Sequence, residues 1–346
     1  MSAPDPPPRT LALDRALLAA DLGASGAAAR AAEAEGFDGV VTFEGPHDPF
    51  VPLILAARET TRLTLTTGIA VAFARNPMSC AYLANDLQLV SEGRFVLGLG
   101  TQIKPHIERR FSEPWSQPNA RMHEFVRALR AIWHAWASGE RLAFEGAFYR
   151  HTLMTPFFNP GRNPFGAPPV LLAGFGPAMV RVAGEVADGW IVHPLHSPSF
   201  VEAVALPALR AGLAAAGRAR ASYTISCQTI TMIGRTDEQI ARARAKARMQ
   251  IAFYASTPAY RPLLEHHGWE HLQPELHRMT REGRWDEMAA RVSDEMLDAI
   301  GVSGTPAAVA RRLGERHAFA DRVTMVLYNE ADPEAGGEVV RALRGG

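Results

Sequence analysis

Short apolar runs recur along the chain, each followed by a glycine-rich or polar turn and then by a longer amphipathic stretch. The clearest is Phe95–Leu99, which opens into Gly98, Gly100 and Thr101 and then into Lys104 and His106. A run of that length and composition reads as a fully buried strand. Its polar tail is how a parallel sheet presents a site at its carboxyl edge. The same pattern predicts strands at Thr10–Leu13, Gly39–Phe43, Leu63–Val71, Val170–Ala173, Trp190–His193, Tyr223–Ile233 and Arg322–Leu327.

Helices fill the intervals. Ser25 is an N-cap for Gly26–Glu35, with Gly36 suited to the C′ position. Pro52–Thr61 follows, with Leu53, Leu55 and Ala56 inward, and Asn76-Pro77 starts a helix to about Ser91. Arg121–Ser138 places Phe125, Leu129, Ile132 and Trp136 on one face. Further helices run from Pro177 to near Val186, over Pro198–Ala216 with a bend at Pro207, over Thr236–Ser256, and from Pro306 to about Arg316.

Eight strands alternating with helices, without a linker between them, predict a closed (β/α)₈ TIM barrel. The runner-up is an open doubly wound sheet. It lacks its fingerprint, because neither Gly98-Leu-Gly100 nor Gly174-Phe-Gly176 continues as G-x-G-x-x-G. Two segments stand outside the repeat. A small hairpin around Glu145-Gly146 and the Pro/Gly-rich loop Thr155–Pro169 precede the fifth strand; the loop either covers the mouth or leads around the barrel. The helical stretch 258–300 precedes the eighth strand. Residues 9–346 read as one domain behind a flexible, proline-rich segment 1–8.

Composition narrows the function. There are 36 basic and 36 acidic residues, a net charge of zero, and no basic block, which excludes nucleic acid and an anionic membrane as expected partners. Lys104 and Lys246 are the only lysines, so the surface is arginine-rich. Cys80 and Cys227 are far apart and in no metal-type spacing, which fits a reducing cytoplasm. The alanine-rich stretch Leu11–Ala34 is broken by Asp14, Arg15, Asp21 and Arg30 and does not read as a membrane span. A cytoplasmic enzyme acting on a small molecule is the expectation.

In a barrel the site forms from the loops after the strands. Glu44, His47 and Asp48 follow the second strand; Ala72, Phe73 and Arg75 the third; Thr101, Gln102, Lys104, His106 and Glu108 the fourth; His193 and His196 the sixth. Gly174 to Pro177 opens a helix, where glycines let backbone N–H groups approach a phosphate. Each also has a plainer reading: a loop ion pair for Glu44, a surface position for His106, a satisfied core histidine for His193. The histidines from His266 to His277 read as surface or dimer-contact residues. No H-x-H or H-E-x-x-H spacing supports a metal among these residues.

The segments GFDGVVTFEGPHDPF, LTTGIAVAFARNP, SEGRFVLGLGTQIKPHIERRF, the FFNP loop, AGEVADGW and VSGTP together resemble the bacterial luciferase-like superfamily. Within it they resemble the actinobacterial oxidoreductases assigned to the deazaflavin coenzyme F420. The resemblance implies a barrel with insertions before strands 5 and 8, and often a non-prolyl cis peptide after the third strand, which maps to Ala70–Val71. It implies a ring site near Glu44 and His106 and a phosphate end near Ala173, Gly174, Phe175 and Gly176. Gly68, Ala70, Val71, Gly100 and Thr101 complete the implied cofactor shell, and His193 and Phe73 the substrate side. Glu44, His47 and His106 are the catalytic candidates. Histidine replaces the asparagine of some relatives at 106, and Gly45-Pro46 separates Glu44 from His47.

The implied activity is hydride transfer between F420 and a small, apolar organic substrate, in a homodimer. Alternatives are an FMN-dependent monooxygenase and a non-catalytic flavin-binding barrel. The aromatic bulk of 155–169 and 258–300 points to an apolar substrate.

Overall fold

The computed structural model describes residues 11–17, 21–328 and 334–345. The proline-rich segment 1–8 and the expected start of the first strand at Thr10 lie outside the described residues. Eight parallel strands form a closed barrel: β1 Ala12–Ala16, β2 Gly39–Thr42, β3 Thr64–Thr67, β4 Phe95–Gly100, β5 Val170–Ala173, β6 Gly189–Val192, β7 Thr224–Ile233 and β8 Arg322–Leu327. Each pairs with its successor, and β8 returns to β1 with Ala12 opposite Arg322. The predicted fold class is the observed one.

Local signals explain the helices. Asn76 accepts from Met78 N and Pro77 occupies the first turn of Pro77–Val90. Gly36 takes φ 92° at the end of Ser25–Glu35. That helix starts one residue earlier than expected, because Asp21 caps a 3₁₀ turn at Leu22–Ala24 that leads into it; Ser25 is not the cap. The bend at Pro207 is a π turn over Val201–Ala205 just before it, as a residue without an N–H widens the ladder.

The predicted third strand is in fact two pieces. Thr64–Thr67 pairs with both neighbours, and Ala70–Val71 pairs with β4 alone. The cis peptide between them is Gly68–Ile69, two residues before the expected Ala70–Val71.

Apolar residues sort into two cores. The larger joins the barrel wall to its surrounding helices. The smaller belongs to the helical insertion, where Leu263, Leu264, Leu276, Met288, Met296 and Leu297 pack with Ile230 and Met232 near the carboxyl end of β7. Val302–Gly304 then adds to that end of β7. The loop before β5 is the way around the barrel: residues 161–163 and 166–169 line a cavity at the amino-terminal end, so this half of the loop does not shape the mouth.

Candidate active site

The strand that ends in Gly98, Leu99 and Gly100 forms one wall. Its glycines make room for protein, not for a ligand. A Cβ on Gly98 would lie 1.8 Å from the Thr67 carbonyl oxygen, and one on Gly100 would lie 2.9 Å from Ile69 Cγ1. The Thr67 hydroxyl donates to Gly98 O at 2.8 Å and accepts from Gly98 N at 2.9 Å, so β3 and β4 meet unusually closely.

The third-strand turn is held from both sides. Gln228, inside the barrel on β7, donates from Nε2 to Gly68 O at 2.7 Å. Glu44 Oε2 accepts from Val71 N at 2.8 Å and from Arg75 Nη1 at 2.5 Å. Arg75 also donates to Asp48 at 2.7 Å and to Val71 O at 3.0 Å. Burial pulls the Arg75 pKa down, but Glu44 and Asp48 outweigh that and hold it above its ordinary value.

This geometry changes several expected roles. Glu44 is a positioning residue, since its Oε2 is committed to two donors. Ala70, Val71 and Phe73 have no exposed surface. Phe73 packs against Trp115 and lies under the Arg121 guanidinium, 4.4 Å from its ring centre, so it supports the wall and does not meet a substrate. Gly68 is buried beneath the turn, where a Cβ would strike Val41 and Gln228. The half-buried side chain at this turn is Ile69, which sequence reasoning passed over as one apolar residue in a run.

Beyond β4, Thr101 donates to Gln102 O at 2.8 Å and Gln102 takes φ 61°, a left-handed conformation rare for a non-glycine residue. The short helix Lys104–Arg109 follows and carries an exposed His106. His47 is half-buried on the loop after β2. Arg110 donates to Gly45 O at 3.2 Å and ties these two loops together.

The opposite wall is aromatic. His193, after β6, stacks on Tyr260 with ring centres 4.4 Å apart and meets Tyr254 edge-on at 4.7 Å. Phe175 packs on Phe200 and Tyr260. His193 Nδ1 accepts from Leu195 N at 3.0 Å, and burial pushes its pKa down to about 3. The ring is therefore neutral with its proton on Nε2, which lies 3.0 Å from the Tyr260 hydroxyl. Tyr260 accepts that proton bond and keeps its own O–H to donate. Burial raises the Tyr260 pKa and pushes Tyr254 to about 12, so both are phenols at neutral pH.

Tyr254 ends one helix and Tyr260 starts the insertion, outside any repeat, so only the third dimension reveals them. The insertion also reaches the β6 loop through His267 Nε2 to Ser197 Oγ at 2.7 Å and His266 Nε2 to Ser199 Oγ at 3.0 Å. These two histidines thus serve contacts within the chain.

The glycine turn after β5 lies beside this wall. Trp190 Nε1 donates to Gly174 O at 2.8 Å. Gly176 caps the ten-residue helix Pro177–Val186 with no side-chain bond, and a Cβ there would meet nothing. Its first-turn N–H groups have no side-chain cap and suit an anion.

A cavity of ≈ 1030 Å³ opens at the other end of the barrel, lined in part by Arg130, Asp188 and Arg322. We place the chemistry at the carboxyl mouth nonetheless. The polar loop residues and the open helix end converge there, whereas Arg130 and Asp188 are already paired at 2.9 Å and Arg322 is paired with Asp14.

The sequence profile of the luciferase-like monooxygenase family matches residues 9–322. An uncharacterized protein of Mycobacterium tuberculosis is 52% identical over 297 residues, spanning 86% of this chain and 87% of that protein. A putative coenzyme F420-dependent oxidoreductase of the same organism is 27% identical over 319 residues, spanning 88% and 90%. The solved coenzyme F420-dependent tetrahydromethanopterin reductase of Methanopyrus kandleri superposes with a TM-score of 0.79 at 21% identity, covering 96% of this chain and 99% of that one.

Proposed function

This chain belongs to the luciferase-like monooxygenase family, and on that premise we propose that it is an F420-dependent oxidoreductase acting on a small, apolar organic molecule. The observation that carries the reading is a mouth with one flat apolar wall at Ile69 and Gly100, an aromatic wall opposite, and an uncapped helix end beside it. A planar ring with a phosphate-bearing tail fits that arrangement. The F420-dependent relative supports the choice of cofactor.

When bound, F420 supplies or accepts the hydride. The chain's own residues do the rest. Glu44 and Gln228 hold the Gly68–Val71 backbone from its two sides. Gly100 and Thr101 border the ring site, and Ala173, Gly174 and Gly176 offer backbone N–H groups to the tail. Tyr260, set by His193, donates its O–H toward the substrate and orients it. His47 and His106, on loops joined by the Arg110–Gly45 bond, handle the proton that accompanies hydride transfer. The reading includes a second copy of the chain as partner. Exposed Leu153, Phe157 and Phe158 support it, and light scattering tests it.

Spectral titration with F420 and with FMN, followed by turnover with and without oxygen, tests the proposal. We expect saturable F420 binding and oxygen-independent turnover. Binding of FMN alone with an absolute need for oxygen would overturn it in favour of the monooxygenase reading, which the family match supports. Saturable binding with no hydride exchange would mark a non-catalytic flavin barrel.

A further inference from the structure

Behind the β6 and β7 wall, three side chains of metal-ligand type meet in the interior. They are His196 from the β6 loop, Cys227 from β7 and His317 from the end of helix Pro306–Arg316. Their exposures are 1%, 0% and 0%, and one ligand atom from each lies within 4.8 Å of the others. They are scattered over 121 positions of sequence, so no linear spacing signals them.

The hydrogen bonds set both imidazoles for coordination. His196 Nδ1 lies 2.9 Å from His193 O, and His317 Nδ1 lies 3.1 Å from Leu313 O. A carbonyl only accepts, so each Nδ1 carries the proton and each Nε2 presents a lone pair. This is the outer-shell arrangement that orients metal-ligating histidines. His317 Nε2 accepts from the Thr229 hydroxyl at 3.0 Å. His196 Nε2 is buried and has no hydrogen-bond partner among the described residues. A buried lone pair without a donor is rare and calls for an explanation. Cys227 offers the third ligand. The opposing group is Arg316, a half-buried cation whose guanidinium is held by the carbonyls of Asp298 and Ala299.

We infer that His196, Cys227 and His317 form a binding site for one Zn²⁺-class cation, with two imidazole nitrogens and one thiolate as ligands. Tetrahedral coordination at about 2.0–2.3 Å needs ligand atoms roughly 3.3–3.6 Å apart, so the three close in by about an ångström. The His317 ring leaves Thr229, and Cys227 Sγ–H gives its proton to water as the metal–sulfur bond forms. A water completes the shell. His196 hangs from the carbonyl of His193, so the ion fixes the loop that carries the aromatic wall.

The test uses the full-length chain, stripped with a chelator and given Zn²⁺ or Co²⁺ alone. We expect one Zn²⁺ per chain retained through gel filtration, a raised melting temperature, and a thiolate-to-cobalt charge-transfer band with Co²⁺. Cys227→Ser removes the band and weakens Zn²⁺ by more than about 100-fold. Cys80→Ser keeps both, which assigns the band to Cys227 even if Cys227→Ser fails to fold. His266→Gln leaves retention unchanged. Failure to retain Zn²⁺, absence of the band, its loss in Cys80→Ser, or undiminished retention in a folded Cys227→Ser protein would each overturn the inference.

Discussion

Removing the Glu44 carboxylate asks whether this residue holds the mouth or moves a proton. In Glu44→Ala, Val71 N loses its acceptor and Arg75 loses a partner at 2.5 Å. Hydrogen bonds to a charged group contribute about 1.5–3 kcal/mol each, and breaking a buried ion pair costs about 3–5 kcal/mol. Arg75 keeps Asp48 at 2.7 Å and Val71 O at 3.0 Å, and its side chain is 15% exposed, so the pair is only partly orphaned. The expected loss is about 2–4 kcal/mol for Ala. For Gln it is about 1 kcal/mol, because the amide oxygen still accepts from Val71 N. Urea unfolding reads both values. F420 titration reads the consequence for the proposed ring site, since Ala is expected to loosen Ala70–Val71 beside it and to weaken binding by about tenfold (1.4 kcal/mol). A positioning residue leaves the Gln variant within about tenfold of full turnover, whereas a general acid or base contributes about 10²–10⁴-fold. The reasoning is refuted if Ala unfolds at the parental urea midpoint. It is equally refuted if Gln binds F420 normally but turns over about a hundredfold slower.

Gly98→Ala forces a Cβ against the Thr67 carbonyl and breaks the reciprocal Thr67–Gly98 bonds. The cost is about 3 kcal/mol or more, a fall in melting temperature of roughly 4 °C for a chain of 346 residues; an unchanged melt contradicts the close approach. Tyr260→Phe keeps the stack on His193 but deletes the free O–H, and should lower kcat/KM by about 10-fold while F420 affinity stays put. Glu33 accepts from the backbone of Thr61, Arg62 and Leu63, and these bonds outweigh the opposing effect of burial to hold its pKa below 4.5. A depressed carboxylate stabilises the fold fully above its unfolded pKa and progressively less as the pH falls below it. The stability gap between the parent and Glu33→Gln should therefore be constant above about pH 5 and shrink in acid, as paired urea titrations would show.

The barrel was legible because its signals are local. Asn76-Pro77, Gly36 and the buried runs at Phe95–Leu99 and Val170–Ala173 each state their own conformation. The loops that could face the mouth followed from strand order. What those loops do there was not legible. Glu44 reads from sequence as one of three catalytic candidates, and only the structure shows its two donors; Phe73 and Val71 read as ligand contacts, and only the structure shows their burial. A strand end shows which residues come near the mouth but not which way they turn. Ile69, Gln228, Tyr254 and Tyr260 were missed for a related reason. Gln228 reaches Gly68 across 160 positions, and Tyr254, at the end of the helix after β7, meets Tyr260 of the insertion through packing that no repeat encodes. The departure of the third strand into two pieces had the same origin, since nothing in Leu63–Val71 marks Gly68–Ile69 as a break.

The second apolar core joins the insertion to the barrel, through Leu195 and Phe200 after β6, Ile230 and Met232 of β7, and the helix that follows β7. The insertion carries Tyr260, while the backbone that borders the proposed ring site belongs to the barrel. Substitutions among Leu263, Leu276 and Met296 therefore act within a packing that also carries Phe200 and supports Phe175. Exchanging residues 258–300 is therefore expected to act first on the proposed substrate side, through Tyr260, and to reach the proposed cofactor side through Phe175.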